Sequence, residues 1–220
     1  MQIPIIKLLD VTMSYENNTI FSNVNLEIQS GEIIAAKGTI GSGKTTLLNL
    51  ICGIMKPDSG RIYIDKYDIT KLSSDKLSTL RAKIFGIVPQ KSNLIPELSI
   101  SQNLELSLMF SGINKNKRQS IVDQTLNKLG LISLSDRLAG TLSVGESEIV
   151  SIARSMVNDP PILLMDEPTE GLDPIISEMI LSLIRGDSIM NQKTVFITTH
   201  DERILNIANR VIQVKENMNL

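Results

Sequence analysis

Residues 38–45 read Gly38-Thr39-Ile40-Gly41-Ser42-Gly43-Lys44-Thr45, a G-x-x-x-x-G-K-[ST] run. The run follows a short branched apolar stretch, Ile33 to Lys37, and precedes a segment with helical spacing, Leu47, Leu48, Leu50 and Ile51. A strand, a glycine-rich loop and a helix in that order constrain the fold strongly. They demand an α/β chain with a largely parallel sheet, in which the loop joins a strand's C-terminal end to a helix N-terminus. The chemistry follows from the residue types. Gly41 and Gly43 let the loop fold so that successive backbone N–H groups converge on phosphate oxygens, and the helix start adds partial positive charge. Lys44 is placed to reach the β- and γ-phosphates of a nucleotide, and the Thr45 hydroxyl to ligate Mg²⁺. Residues 38–46, from Gly38 and Thr39 through Ile40, Ser42 and Thr46, form the expected nucleotide-binding segment.

The rest of the chain agrees with that frame. Branched apolar runs predict strands at Ile5 to Leu9, Val24 to Ile28, Ile33 to Lys37, Arg61 to Asp65, Phe85 to Val88, Ile162 to Asp166, Thr194 to Thr198 and Arg210 to Val214. The early strands form an antiparallel part. Between about Lys91 and Leu142 the branched strands stop, and Val122, Leu126 and Leu129 recur at i, i+4, i+7, so an inserted helical lobe is expected. Leu104, Leu106 and Leu108 alternate, yet their setting after Ser99 favours a helix there too. The architecture is a P-loop α/β core with a helical insertion, in one domain.

Ile162-Leu163-Leu164-Met165-Asp166-Glu167 is an apolar strand that ends in two carboxylates. In a chain that already carries a phosphate loop, Asp166 suits Mg²⁺ held through its water shell. Glu167, just past the strand, suits a base that orients the water attacking a γ-phosphate. His200, the only histidine, closes the apolar run Thr194 to Thr198.

Composition removes other classes. With 22 Lys and Arg against 24 Asp and Glu the formal charge is −2, so no positive excess is present to hold a nucleic-acid backbone. The single cysteine, Cys52, lies in an apolar stretch and fits a reducing compartment. No apolar run reaches the roughly eighteen residues of a membrane span, and the N-terminal residues lack signal-peptide regions. If the protein serves a membrane, a partner is expected to provide the attachment.

Together these segments resemble the ATP-binding subunit of an ATP-binding-cassette (ABC) transporter over nearly the whole chain. The elements stand in that family's order: Tyr15, the phosphate loop, Gln90 in Ile87-Val88-Pro89-Gln90, Leu142-Ser143-Val144-Gly145-Glu146, Asp166-Glu167, Leu172-Asp173 and His200. The resemblance implies further roles. Tyr15 is similar to the ring that stacks on adenine, and Gln90 to the hinge glutamine that touches Mg²⁺ and the attacking water. Leu142, Ser143, Val144, Gly145 and Glu146 resemble the signature segment, in which the serine hydroxyl and glycine N–H reach the γ-phosphate of ATP held by the other subunit. Asp173 resembles an interface-loop residue and His200 a switch that senses the γ-phosphate. It also implies a core of 1–90 and 156–220 with a helical lobe of 91–155, ATP and Mg²⁺ as ligands, a homodimer closed by ATP, and integral membrane permease subunits as partners. The place implied is the cytoplasmic face of the membrane.

The signature departs from the family's usual Leu-Ser-Gly-Gly-Gln or Leu-Ser-Gly-Gly-Glu at Val144, and Ser147, Glu148 and Ile149 replace the usual glutamines and arginine. A branched side chain beside the partner's nucleotide implies a slowed ATPase. Phe85 to Gln90, followed by Asn93 to Ser99 and Asn103, is similar to the lipoprotein-release and macrolide-export subfamily. The alternative within the family is a cell-division type module that regulates a membrane partner without transport. Chromosome and DNA-repair ATPases share these motifs but insert a long coiled coil, and no sustained heptads occur here. Translation-factor relatives need two cassettes, and one is present.

Overall fold

The computed structural model describes residues 4–16, 18–186 and 193–215. The chain divides into two compact units, one from the described residues of Met1–Arg81 and Asn191–Leu220, the other from those of Ala82–Met190.

In the first unit β1 (Ile6–Tyr15) pairs antiparallel with β2 (Asn18–Ile28) and, on its other edge, with β4 (Ser59–Ile64), which in turn pairs with β5 (Tyr67–Asp68). The register runs from Ile6 opposite Ile28 to Tyr15 opposite Asn18. Both strands are longer than their apolar runs predict. Asp10 and Asn23 take positive φ, at 49° and 53°, and the register shifts between Leu8 and Val11. Bulges of this kind break the two-residue alternation on which a strand reading depends, although the ladder continues past them.

A second set of strands in this unit is parallel. β3 (Ile33–Lys37) lies between β8 (Thr194–Thr198) and β9 (Arg210–Gln213), with Ile34 opposite both Phe196 and Arg210. All five residues of β8 are buried, as expected of an inner parallel strand. α1 (Lys44–Ile51) follows β3 and buries Leu47, Leu48, Leu50 and Ile51 against β4 and β8. α7 (Glu202–Ile207) packs on β3.

α2 (Ser74–Ile84) has no buried residue. Without an apolar face it left no periodic signal in the sequence.

The second unit pairs β6 (Phe85–Val88) with β7 (Ile162–Asp166) in parallel, Phe85 opposite Ile162. The helical segment expected after Lys91 is present as α3 (Ile100–Phe110) and α4 (Lys115–Lys128). The alternating leucines are helical: Ser99 caps α3 in a capping box with Gln102, and Ile100, Leu104 and Leu108 enter the core while Leu106 stays half-buried. Val122 and Leu126 of α4 join them, as do Ile149, Val150 and Ala153 of α5 (Val144–Met156). α6 (Pro174–Arg185) completes the unit and buries Ile180, Leu181 and Ile184.

Candidate nucleotide site

The phosphate loop leaves β3 and enters α1 as the motif requires. Glycine at 38 is fixed by crowding, since a Cβ there would stand 2.4 Å from both Ser42 Oγ and the Val214 carbonyl oxygen. Gly43 is fixed by conformation, with φ 97°, and by Ile20, whose Cγ2 would lie 2.6 Å from an added Cβ. As the N-cap of α1, Gly43 offers no side-chain acceptor, and the first turn holds no acidic residue. No side chain of the cap and no first-turn carboxylate therefore competes with an anion for the partial positive charge at this helix start. Ser42 Oγ is buried and has no hydrogen-bond partner, a second group suited to an incoming acceptor.

Lys44 is buried, and its Nζ turns back onto the loop, donating to the Gly38 carbonyl at 2.8 Å and the Thr39 carbonyl at 3.3 Å. The same Nζ lies 3.0 Å from His200 Nε2. An ammonium only donates, so this geometry makes Nε2 the acceptor and assigns the ring proton to Nδ1. The phosphate-loop lysine and the expected switch histidine are therefore in direct contact. Thr45 is exposed, and Ile40 at the loop tip is 95% exposed, so only the backbone of Ile40 is available for phosphate contact. Tyr15 presents an exposed ring at the end of β1, and its hydroxyl meets Met55 Sδ at 3.0 Å.

In the second unit Asp166 ends β7, a strand whose every residue is buried. Glu167 follows at φ 49°. A left-handed backbone is uncommon for a non-glycine residue, and this turn swings Glu167 out of the strand direction that Asp166 still follows. Gln90, two residues beyond β6, donates from Nε2 to Glu170 Oε2 at 2.7 Å.

The signature segment is a helix start. Ser143 is the N-cap of α5: its Oγ accepts from the Glu146 N–H at 3.2 Å, and Glu146 Oε2 accepts from the Ser143 N–H at 2.8 Å. Arg137 donates to Glu146 Oε1 at 2.7 Å. The Ser143 N–H and hydroxyl, followed by Arg137, hold the Glu146 carboxyl below the usual carboxylate range. Leu142 packs against the helical core. Val144 occupies the first turn and is 76% exposed, so its isopropyl group leaves the cap intact. Gly145 has a packing reason, because a Cβ there would sit 3.0 Å from Ile176 Cγ1 of α6. Asp173 caps α6, accepting from the N–H groups of Ile175 and Ile176 at 2.9 and 3.0 Å, with Pro174 opening the helix.

Two residues with defined partners, and one buried carboxyl, were not legible in the sequence. Arg137 and Glu170 each sit in polar surroundings that look like ordinary solvated loop; the partners of Arg137, Thr141 and Glu146, are close in the chain, whereas Gln90, the partner of Glu170, is 80 residues away. Glu148, noted only as a departure, is buried in α5 among apolar neighbours.

This combination of a phosphate loop on a parallel strand and a capped signature helix defines a nucleotide-binding cassette of the P-loop class. The model of the family described as ABC transporter matches residues 21–170. The chain belongs to the ABC transporter family and is its ATP-binding, ATP-hydrolysing component. It is 35% identical to the lipoprotein-releasing system ATP-binding protein LolD of Saccharophagus degradans, over 98% of this chain and 96% of that one. It is 33% identical to the macrolide export ATP-binding/permease protein MacB of Vibrio parahaemolyticus over 96% of this chain, and spans 33% of that longer protein. Among solved structures it is similar to the ATP-binding cassette MJ0796, captured as a dimer in a post-hydrolysis state bound to ADP and Pi. The TM-score is 0.88 and the identity 35%, covering 96% of this chain and 94% of that one. Among the described residues no helix is long and apolar enough to cross a membrane.

Proposed function

We propose that the chain is the ATPase subunit of a lipoprotein-release or export type system, attached to the inner face of the membrane through permease subunits and driven by ATP-dependent closure of a homodimer. The observation that carries ATP binding is the state of the loop: a buried Lys44 ammonium, an orphan buried Ser42 hydroxyl and a helix start free of any side-chain cap. Together they form a cradle for a polyphosphate. Tyr15 offers the ring for the base.

The residue types proposed for Mg²⁺ suit that ion. Thr45 hydroxyl, Asp166 carboxylate and Gln90 amide oxygen are hard oxygen ligands. Among the described residues no cluster of three His, Cys, Asp or Glu could hold a metal, so the ion would arrive with the nucleotide's phosphates rather than sit in a protein cage. Bound there, Mg²⁺ would neutralise charge developing on the transferred phosphoryl group. Glu167 orients and deprotonates the attacking water, His200 contacts the γ-phosphate, and Ser143 and Gly145 meet the nucleotide held by a second copy. Asp173 lies in the loop that crosses to that copy.

Two variants separate binding from chemistry. Lys44→Ala should abolish nucleotide binding in a fluorescent-ATP titration. Glu167→Gln should keep binding and lose about 10²- to 10⁴-fold in turnover, the range of general-base assistance. Normal turnover in Glu167→Gln, or unchanged nucleotide affinity in Lys44→Ala, overturns the corresponding assignment.

A further inference from the structure

We propose that Glu170 is a positioning residue that fixes the amide of Gln90, turning its carbonyl oxygen rather than its NH₂ group toward the nucleotide's Mg²⁺ and the attacking water. The inference deepens the role proposed for Gln90 and rests on it.

An amide side chain has two ends of nearly equal shape and opposite chemistry, and a hinge glutamine is useful to a cation only by its oxygen. Left in water, the group exposes either end. Here the atom 2.7 Å from Glu170 Oε2 has to be the nitrogen, because a carboxylate accepts and does not donate. That single contact settles which way the amide faces. Gln90 Oε1 is the remaining end, and the NH₂ group, which would repel a cation, is occupied.

Glu170 is itself anchored to the catalytic strand's exit. Its backbone N–H donates to the Glu167 carbonyl at 3.1 Å, and the Leu172 N–H donates to the Thr169 carbonyl at 3.4 Å. Gly171, at φ 70°, completes the turn that leads to Asp173. The proposed base and the residue that orients Gln90 thus belong to one hydrogen-bonded turn. A displacement of that turn moves both. The contact is solvent-exposed, so it biases the amide orientation instead of locking it, and its loss should cost a modest factor.

The test uses the full chain and the Glu167→Gln background, which holds ATP unhydrolysed. Mn²⁺ affinity of the ATP-loaded protein, read by electron paramagnetic resonance, should weaken about 3- to 10-fold in Glu170→Ala, the net scale of one solvent-exposed hydrogen bond. ATP affinity in excess chelator should stay unchanged, since the phosphate loop is untouched. Glu170→Gln retains size and an acceptor oxygen but can also donate, so it should give an intermediate loss. In a Gln90→Ala background Glu170→Ala should have no further effect, because a residue acting through Gln90 has nothing left to orient. Equal losses with and without Gln90, or no change in Mn²⁺ affinity in Glu170→Ala while Gln90→Ala weakens it, overturns the positioning role alone. If Gln90→Ala leaves Mn²⁺ affinity intact, the metal-ligand reading of Gln90 falls, and the positioning role with it.

Discussion

Glu148 is 7% exposed, no hydrogen bond reaches its Oε1, and burial alone pushes its carboxyl up to about 7. Two ion pairs lie on other helices of the same unit, Glu105 of α3 with Arg118 of α4 and Glu178 with Arg185 on α6. An acid whose folded pKa is raised favours the folded state only while protonated. Stability is therefore unimpaired below about pH 4.5, where both states hold the proton, falls as pH rises toward 7, and stays reduced above it. A shift from 4.5 to about 7 sets a ceiling of order 3 kcal/mol, which water penetration lowers. Glu148→Gln should accordingly be more stable than the parent at pH 8, by about 1 to 3 kcal/mol in urea unfolding, and no different at pH 4. A gain of equal size at both pH values would show that the cost of Glu148 is steric and not ionic. Placement was legible in the sequence where it is local: Lys44 and Thr45 at the start of α1, Asp166 at the end of β7 and Glu167 just past it follow from their neighbours in the chain. Glu170 was not, because its hydrogen-bond partner Gln90 is 80 residues away and nothing in either segment points to the other.

At the scale of elements, α5 shows how a signature segment doubles as a helix start. Ser143 and Glu146 exchange two hydrogen bonds, each from one residue's backbone N–H to the other's side-chain oxygen, and Arg137 ties Glu146 to the preceding segment, donating also to the Thr141 carbonyl at 2.7 Å. Removing the Ser143 oxygen leaves the Glu146 N–H unserved at the helix end. Ser143→Ala should thus lower thermal stability by about 1 kcal/mol, while Ser143→Thr, which keeps the oxygen, should lie within a few tenths of the parent. Indistinguishable melting of Ser143→Ala and the parent would mean that solvent caps this helix equally well. The consequence for kinetics is practical, since activity lost in Ser143→Ala needs correction for the fraction unfolded. Elements with a buried face were readable from the sequence. α4 and β7 follow apolar spacing and α3 was favoured by its setting after Ser99 against alternating leucines, whereas the polar α2 buries no residue, and the outer halves of β1 and β2 are hidden by bulges at Asp10 and Asn23.

At the scale of the whole molecule the order of motifs along the chain carried most of the identification, because each motif is defined by a phosphate's needs and not by packing. What spacing alone does not carry is the effect of Val144, which in the proposed homodimer concerns a second copy. Ser143 and Gly145 stand at a helix start with the cap intact, so the backbone geometry that would face a γ-phosphate survives the departure from glycine. The isopropyl group is the difference: it is 76% exposed, on the segment that the proposed homodimer would turn toward the partner copy's nucleotide. Closing the dimer then requires that side chain to be accommodated, at a cost that glycine would not incur. In sedimentation velocity, Glu167→Gln should be monomeric without nucleotide and shift to a two-fold dimer with ATP, since binding holds the copies together and hydrolysis is blocked. Adding Val144→Gly should lower the protein concentration at which that shift occurs. Monomer stability should change by no more than about 1 kcal/mol, the scale of a glycine in an exposed helical position. If Val144→Gly weakens ATP-driven dimerisation instead, the valine makes a favourable contact across the interface, and the slowed turnover expected from this signature has no steric origin.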